Sequence, residues 1–185
     1  MSSNPIPAST PSGGSSYKYC VGLYLTAENL EVKQYEMTNE NMLDQLGILL
    51  NGDLSEKITE VLYYKNPLVW CQFSNSYLYH AFVVLKTTNC WWSMEKNSEE
   101  VVFQRSEKLD DVRDQSANTK RSKGLLRMLC SKVKKQAIAR SDLTLNTVVT
   151  YIREQNLVNI PYNLKDHNCQ HFADFIYAYV SGQHV

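Results

Sequence analysis

The chain has 185 residues, of which 43% are hydrophobic, and its 19 lysines and arginines balance its 19 acidic residues. The balanced charge argues against a partner attracted by strong net charge, such as nucleic acid, and the hydrophobic fraction argues against a chain that is disordered throughout. The length favours one globular unit with a substantial core.

The five cysteines lie at positions 20, 71, 90, 130 and 169, an odd number without a CxxC pair. The N-terminus lacks the basic and apolar regions of a signal peptide, and no apolar run approaches the roughly 20 residues that cross a bilayer. We therefore expect reduced thiols and a cytoplasmic protein.

The first half of the chain begins with residues 1–16, whose Ser, Pro and Gly content predicts a disordered tail. Residues 17–26 are rich in Tyr, Val and Leu and predict a strand. Apolar residues at helical spacing then predict a helix from Met42 to Leu50 that stops at Gly52. We expect a second, short helix over residues 55–64.

The middle of the chain contains three runs of β-branched and aromatic residues: LVWCQFS (68–74), YLYHAFVVLKT (77–87) and CWWSMEKNSEEVVFQRS (90–106). The third run is long enough for two strands divided near Asn97. Together the runs predict an antiparallel sheet.

Eight lysines and arginines follow between Lys120 and Arg140 without an acidic residue among them, and leucines interleave with the first of these charges. One interpretation is a basic amphipathic segment that makes peripheral contact with an anionic membrane. The alternative, which is the commoner use of such a run, is a solvated helix face packed on its own domain. We expect no specific nucleic-acid partner.

A helix with Leu145, Val148, Val149 and Ile152 on its apolar face should follow and end near Asn156. Its cap is predicted to be Ser141 or Asp142.

The stretch YNLKDHNCQHFADFIYAYV (162–180) places Cys169 at the start of the last helix. The residues at offsets of 3, 4, 7, 8 and 11 from this cysteine are apolar or aromatic, so the thiol belongs to the buried face. Asp166 or Asn168 supplies a capping side chain, and Cys169 then lies in the first turn of the helix. The positive end of the helix dipole favours a thiolate there.

A nucleophilic thiol needs a base, and His80 on a predicted buried strand is the best placed of the four histidines. His167 and His171 are too close to Cys169 in sequence to face its sulfur easily, and His184 is near the C-terminus. A strand histidine is more often an ordinary hydrogen-bonded core residue, and a cysteine is often a small hydrophobe. Metal binding by Cys169, His167 and His171 is a further alternative, but no paired cluster supports it, and we expect neither a metal nor a cofactor.

A third group is expected to orient the imidazole. If Thr87 and Thr88 form a two-residue turn, Lys86 pairs with Asn89 and Glu95 lies opposite His80. A turn shifted by one residue would place Asn97 there instead.

The segment YNLKDHNCQHFADFI, with HAFVVLKT upstream, resembles the NC motif and strand histidine of the circularly permuted papain-like fold. The similar families are the NlpC/P60 superfamily, with its lecithin retinol acyltransferase-like (H-box/NC) members, and the PPPDE/DeSI-type isopeptidases. The resemblance implies an α+β fold in which a cysteine-bearing helix packs on an antiparallel sheet. It covers residues 78–180, so residues 17–75 are an N-terminal extension of a single papain-like domain over residues 17–185.

By this resemblance the chain is a thiol hydrolase or acyltransferase in which His80 activates Cys169 toward an ester, amide or isopeptide of an acyl-lipid, protein or peptide substrate. The acyltransferase-like families carry a second histidine where this chain has CWWSMEKN. Glu95 or Ser93 then replaces it, or a Cys-His dyad suffices, or activity has been lost and the chain is a binding or regulatory module. We also assign substrate contacts to Asn168 and Gln170, which flank the cysteine, and to Trp92.

Overall fold

A computed structural model describes residues 17–29, 31–52, 54–67, 79–113 and 134–183. Its strands are β1 (Val21–Thr26), β2 (Val32–Met37), β3 (Ile58–Pro67), β4 (Tyr79–Thr87), β5 (Trp91–Lys96), β6 (Val101–Ser106) and β7 (Lys134–Arg140). Its helices are α1 (Met42–Leu49), α2 (Leu109–Arg113), α3 (Leu145–Glu154) and α4 (Cys169–Ser181). The predicted α+β class is therefore confirmed.

The seven strands form one mixed sheet in the order β2-β1-β6-β5-β4-β3-β7. Strands β3 to β6 are sequential antiparallel neighbours, and β7 is antiparallel to β3. Strand β1 pairs antiparallel with β2 and parallel with β6, which makes the sheet mixed. The antiparallel arrangement predicted for the middle of the chain is thus correct, and β4 lies well inside the sheet.

Alternation along β4 divides the sheet into two faces. Ala81, Val83 and Leu85 face the larger core, which the sheet shares with α1, α3 and α4. Phe82 and Val84 face a smaller cluster on the other side, to which α2 contributes. Successive strand residues point to opposite faces, so a strand buried on both sides carries an unbroken apolar run.

The predicted helices around the larger core are present, with small differences at their ends. Helix α1 ends at Leu49, and Gly52 follows in a turn with a φ of +83°. Helix α3 has the predicted apolar face, but its cap is Thr144, whose hydroxyl accepts from the Thr147 N–H at 3.2 Å. The prediction of Ser141 or Asp142 as the cap was therefore wrong by two or three residues.

The short helix predicted over residues 55–64 was wrong, because this segment contributes most of β3. Val61 and Tyr63 face the larger core, whereas Leu62 and Tyr64 face the smaller one. Burial on both faces gives an apolar run without a period, and a short run of this kind does not distinguish a helix from a strand.

Several predictions fall outside the described residues: the tail over residues 1–16, the strand over residues 68–74 and most of the basic segment. The end of the basic segment, Lys134–Arg140, forms β7 at an edge of the sheet, so a helical interpretation is wrong for that part. Helix α2 was not predicted. In the part of the chain that the structure describes, no helix has both the length and the apolar character needed to cross a bilayer.

Candidate active site

Asn168 caps α4 and thereby places Cys169 at the first helical position. The Asn168 Oδ1 accepts hydrogen bonds from the backbone N–H groups of Gln170 at 2.8 Å and His171 at 3.2 Å. Asn168 has extended backbone angles, as expected for an N-cap residue. Of the two predicted caps, Asn168 is the one used, and Cys169 lies where the dipole of a 13-residue helix favours negative charge.

The Cys169 side chain points toward the sheet and is 5% exposed. Helix α4 packs on β3, β4 and β5 through the predicted face, which comprises Phe172, Ala173, Ile176, Tyr177 and Val180. The Cys169 Sγ lies 3.8 Å from the Tyr79 carbonyl oxygen and 4.0 Å from the Tyr162 hydroxyl oxygen. The thiol therefore lies at the start of β4.

His80, the second residue of β4, connects this thiol to a carboxylate. Its side chain is buried, with the residue 8% exposed, and its ring stacks on Phe82. The His80 Nε2 contacts the Glu95 Oε2, and the imidazole lies close enough to the Cys169 thiol for each group to shift the pKa of the other. The structure thus brings together the three residues that the sequence analysis assigned to catalysis.

Glu95 reaches His80 not through the first register considered but through the alternative one, in which the β4–β5 turn is shifted by one residue. The Thr87 N–H donates to the Cys90 carbonyl at 2.9 Å, and Lys86 pairs with Trp91 rather than with Asn89. The turn therefore begins one residue later, and continuing this register places Glu95 diagonally across from His80 on the same face. Diagonal neighbours remain within reach of long side chains, so the contact forms although the first register considered was wrong.

The surroundings of His80 favour its charged form. Burial opposes the charge, but the carboxylate of Glu95 and hydrogen bonds to Cys169 and Glu95 outweigh burial and raise the pKa of His80 to about 10. An imidazolium at neutral pH follows from this pKa.

The same contacts favour the thiolate of Cys169. Burial acts to raise its pKa, but the hydrogen bond and the charge of His80 lower it, with further help from the Ala81 backbone N–H and the Tyr162 hydroxyl. The pKa of Cys169 is therefore below its usual value, whereas burial raises the pKa of Cys90 to about 11 and that of Cys20 to about 12. Among the described cysteines, Cys169 has the environment of a reactive thiol.

The residues assigned to substrate contact have other roles. The Gln170 side-chain amide donates to the Tyr79 carbonyl at 3.1 Å, and the Asn168 amide donates to the Leu164 carbonyl at 2.8 Å. The Gln170 side chain therefore joins α4 to β4, and the Asn168 side chain joins the helix start to the turn before it. Trp92 is fully buried in the larger core, on the opposite face of β5 from Glu95, so its assignment to substrate contact does not fit its position.

The remaining described histidines lie on the outer side of the helix start. The His171 Nδ1 bonds to the Asn168 Oδ1 at 2.9 Å, and the His167 backbone pairs with Asn163. His184 lies outside the described residues. No three His, Cys, Asp or Glu side chains converge as metal ligands within the described ranges, so the metal alternative for Cys169, His167 and His171 has no cluster to support it there.

Sequence reasoning missed Tyr162 and the Ala81 N–H as groups near the sulfur. Tyr162 precedes the helix by seven residues, in a turn-rich segment whose path no periodic pattern predicts. The Ala81 N–H is a backbone group, so its role depends on the docking of α4 rather than on a side chain. Ser93, the other candidate for the third residue, is fully buried and accepts a hydrogen bond from Gln104 at 3.0 Å.

Comparisons of this chain with models of protein families, with curated proteins and with solved structures give no match.

Proposed function

We propose that this chain is a cysteine-dependent hydrolase or acyltransferase with Cys169 as nucleophile, His80 as general base and acid, and Glu95 as the group that orients His80. The proposal includes a circularly permuted papain-like fold, in which the histidine strand precedes the cysteine helix in sequence. The order of β4 and α4, together with the packing of α4 on the sheet, supports this assignment.

The observation that carries the proposal is the chain of contacts from the Glu95 carboxylate through the His80 imidazole to the Cys169 thiol. A nucleophile, a base and an orienting group arranged in this order form the constellation of acyl-transfer enzymes on several unrelated folds. The carboxylate holds Nε2, which leaves Nδ1 as the ring nitrogen for proton exchange with the sulfur.

In the first step the Cys169 thiolate attacks the carbonyl carbon of an ester, amide or isopeptide and forms a C–S bond. The carbonyl electron pair moves to the oxygen. When the tetrahedral intermediate collapses, the His80 imidazolium gives its proton to the departing alcohol or amine, and a thioester of Cys169 remains. Glu95 stabilises the imidazolium through its contact with Nε2.

The start of α4 offers a donor for the developing oxyanion. Asn168 accepts hydrogen bonds from the backbone N–H groups of Gln170, His171 and Phe172. In the described part of the chain no acceptor is found for the N–H of Cys169 itself. An N–H on the nucleophilic residue at a helix N-terminus is well placed to stabilise negative charge on the attacked carbonyl.

In the second step neutral His80 removes a proton from water or from an acceptor alcohol or amine, which attacks the thioester carbon. The C–S bond breaks and its electron pair returns to sulfur. The Cys169 thiolate is thereby restored beside the His80 imidazolium, which keeps the proton that it removed. Water as acceptor gives hydrolysis, and an alcohol or amine gives acyl transfer.

The second candidate is a binding or regulatory module that keeps this arrangement without turnover. The burial of Cys169, which is 5% exposed, favours this candidate because a substrate carbonyl must reach the sulfur. The two candidates differ in whether the thiol accumulates an acyl group.

The deciding experiment presents the full chain with three families of thiol-directed acyl probes: lipid esters, ubiquitin-like C-terminal electrophiles and small activated amides. We expect one family to label Cys169 in the wild-type protein, as located by peptide mass spectrometry, and the matching substrate to turn over. The Cys169→Ala variant should show no label at this position.

The variants His80→Ala and His171→Ala form a matched pair, because both remove an imidazole near α4 and only His80 contacts the sulfur. Loss of labelling in the first variant alone would support the proposal. Equal labelling in both variants, or alkylation of Cys169 without turnover of any ester, amide or isopeptide, would favour the module.

A further inference from the structure

A cavity of about 190 Å³ lies beside the start of α4, and Cys169 is not among the residues that line it. Its walls come from the end of α3, the turns that follow α3, the first two turns of α4 and the end of β5. It is smaller than the roughly 300–1,000 Å³ of pockets for drug-sized molecules, so only a small ligand fits.

The polar part of the lining contains no carboxylate among the residues that the structure describes. It consists of Lys96, Tyr151, Gln155, His167, Asn168 and His171. Amide, imidazole and ammonium N–H groups are hydrogen-bond donors, and the absence of a carboxylate from this lining leaves an anion without a repelling neighbour.

Lys96 provides the positive charge in this lining, and its ammonium group is buried. It is 3% exposed, and its Nζ donates to the carbonyl oxygens of Leu157 at 2.9 Å and Ile160 at 2.5 Å. An ammonium has three N–H donors, and within the described ranges the third has no acceptor, although the Tyr17 ring centroid lies 5.2 Å from Nζ. No described carboxylate lies within ion-pair distance of Lys96.

A buried ammonium without a counter-ion is costly, and the cost falls when an anion binds beside it. Burial lowers the pKa of Lys96 to about 8, which leaves it mostly protonated at pH 7. The ammonium is therefore charged under ordinary conditions and lacks an acidic partner in the described structure.

The apolar part of the lining indicates that the ligand has a tail. Phe172 is buried at one side of the cavity, and Phe175 lies one turn further along α4 with 49% of its surface exposed. Leu157 and Ile160, whose carbonyls accept from Lys96, line the same cavity. An inorganic anion would leave these apolar groups in contact with water, whereas a short hydrocarbon or aromatic group would cover them.

We propose that this cavity binds a small organic carboxylate, with its carboxylate at the Lys96 ammonium and a short apolar or aromatic tail against Phe172 and Phe175. The site is separate from the thiol of Cys169 and does not depend on the function proposed above.

Benzoate is a suitable probe because it joins one carboxylate to one small ring. Titration of the full-length protein at constant ionic strength, followed by amide NMR, should shift resonances of residues 155–160 and 168–175 in a saturable manner. Benzamide, which has the same ring without the charge, and inorganic phosphate, which has charge without a ring, should each bind at least about tenfold more weakly. The proposal would be contradicted if benzamide or phosphate bound as tightly as benzoate. It would also be contradicted if benzoate shifted only amide resonances of residues outside these two ranges.

Two glutamate substitutions test the location without disturbing the buried ammonium. Gln155 is exposed at the rim of the cavity, and Gln34 is exposed on β2, which lies at the opposite edge of the sheet from β7. Gln155→Glu should weaken benzoate binding about fivefold or more through repulsion at short range, and Gln34→Glu should leave it unchanged. Identical affinities for the two variants would place benzoate elsewhere and overturn the assignment, whatever the reactivity of Cys169.

Discussion

The Oε2 of Glu95 contacts the Nε2 of His80 across the β4–β5 ladder, and both side chains are buried. Each residue therefore depends on the other, because a buried charge without a partner is unfavourable. This pairing fixes the imidazole at the start of β4, beside the first turn of α4.

Replacing Glu95 by Gln should weaken the ionisation of Cys169. The substitution keeps the shape of the side chain but removes the charge that raises the pKa of His80, so the imidazolium becomes less stable and the thiol pKa rises. Rates of iodoacetamide alkylation against pH, measured by mass spectrometry, should give a higher apparent pKa for Cys169 in Glu95→Gln than in the wild type. Glu28→Gln, at an exposed position between β1 and β2, is the control and should leave the profile unchanged.

Cys169 should be alkylated before Cys20 and Cys90 in the folded protein at pH 7. All three residues are buried, but contacts lower the pKa of Cys169 whereas burial raises the pKa of the other two. Peptide mapping after brief iodoacetamide treatment gives the order directly. His80→Ala should slow the reaction of Cys169 at least tenfold, and His171→Ala should change it by no more than a few-fold. Faster modification of Cys20 or Cys90 would contradict this order.

Between pH 6.5 and 9 the stability of Cys169→Ser should fall, and that of the wild-type protein should fall less. In the variant, Glu95 still holds the folded pKa of His80 above the unfolded value of 6.5. The resulting stability is fully present below pH 6.5 and is lost as pH rises through the folded pKa. Urea unfolding at several pH values measures this slope.

The wild type differs because the pKa of Cys169 is lowered rather than raised. The contribution of Cys169 to stability therefore changes with pH in the opposite direction from that of His80. A lowered folded pKa contributes stability above the unfolded value of 9.0, and that stability is lost as pH falls through the folded pKa. As pH rises from the folded pKa of Cys169 toward 9.0, the gain in stability from Cys169 opposes the loss from His80. Parallel slopes for wild type and Cys169→Ser would show that the folded protein holds a neutral thiol.

Two glycines should respond oppositely to the same substitution. Gly182, which follows α4, has a φ of +68°, so Gly182→Ala forces a left-handed backbone on an L residue and should cost roughly 1 kcal/mol of unfolding free energy. Gly47 lies inside α1 with no atom within 4 Å of an added Cβ, so Gly47→Ala should add roughly 0.5–1 kcal/mol. Thermal or urea unfolding measures both effects, and a change of the same sign in both would contradict the assignment of Gly182 as the left-handed terminator of α4.

The three residues of the proposed catalytic site were predictable where a local pattern carried the information. Cys169 is identified by the helical face that begins with it and by the capping side chain of Asn168, and His80 by the unbroken apolar run of the strand that follows it. Each of these two patterns lies within one element. An error in predicting another element therefore does not change the assignment.

Contacts between different strands and helices were harder to predict from the sequence. Glu95 was predicted to lie opposite His80 from a β4–β5 turn placed one residue too early. The contact still forms because the long side chain of Glu95 reaches His80 as a diagonal neighbour. The strand character of residues 58–67 depends on burial between β4 and β7, which a single segment does not reveal. The Lys96 site requires carbonyls of Leu157 and Ile160, and no sequence pattern links these residues to β5.

The parallel pairing of β1 with β6 has a consequence for how the chain folds. It joins Val21 to Val101, which are 80 residues apart (101 minus 21), whereas β4, β5 and β6 are connected by short turns. Closing a long loop costs entropy before its contacts form, so we expect the β4–β6 meander to assemble first and the β1–β2 hairpin to dock on it afterwards. During synthesis β1 and β2 leave the ribosome well before β6 and must wait for it, with the apolar side chains of Val21 and Leu23 exposed in the meantime.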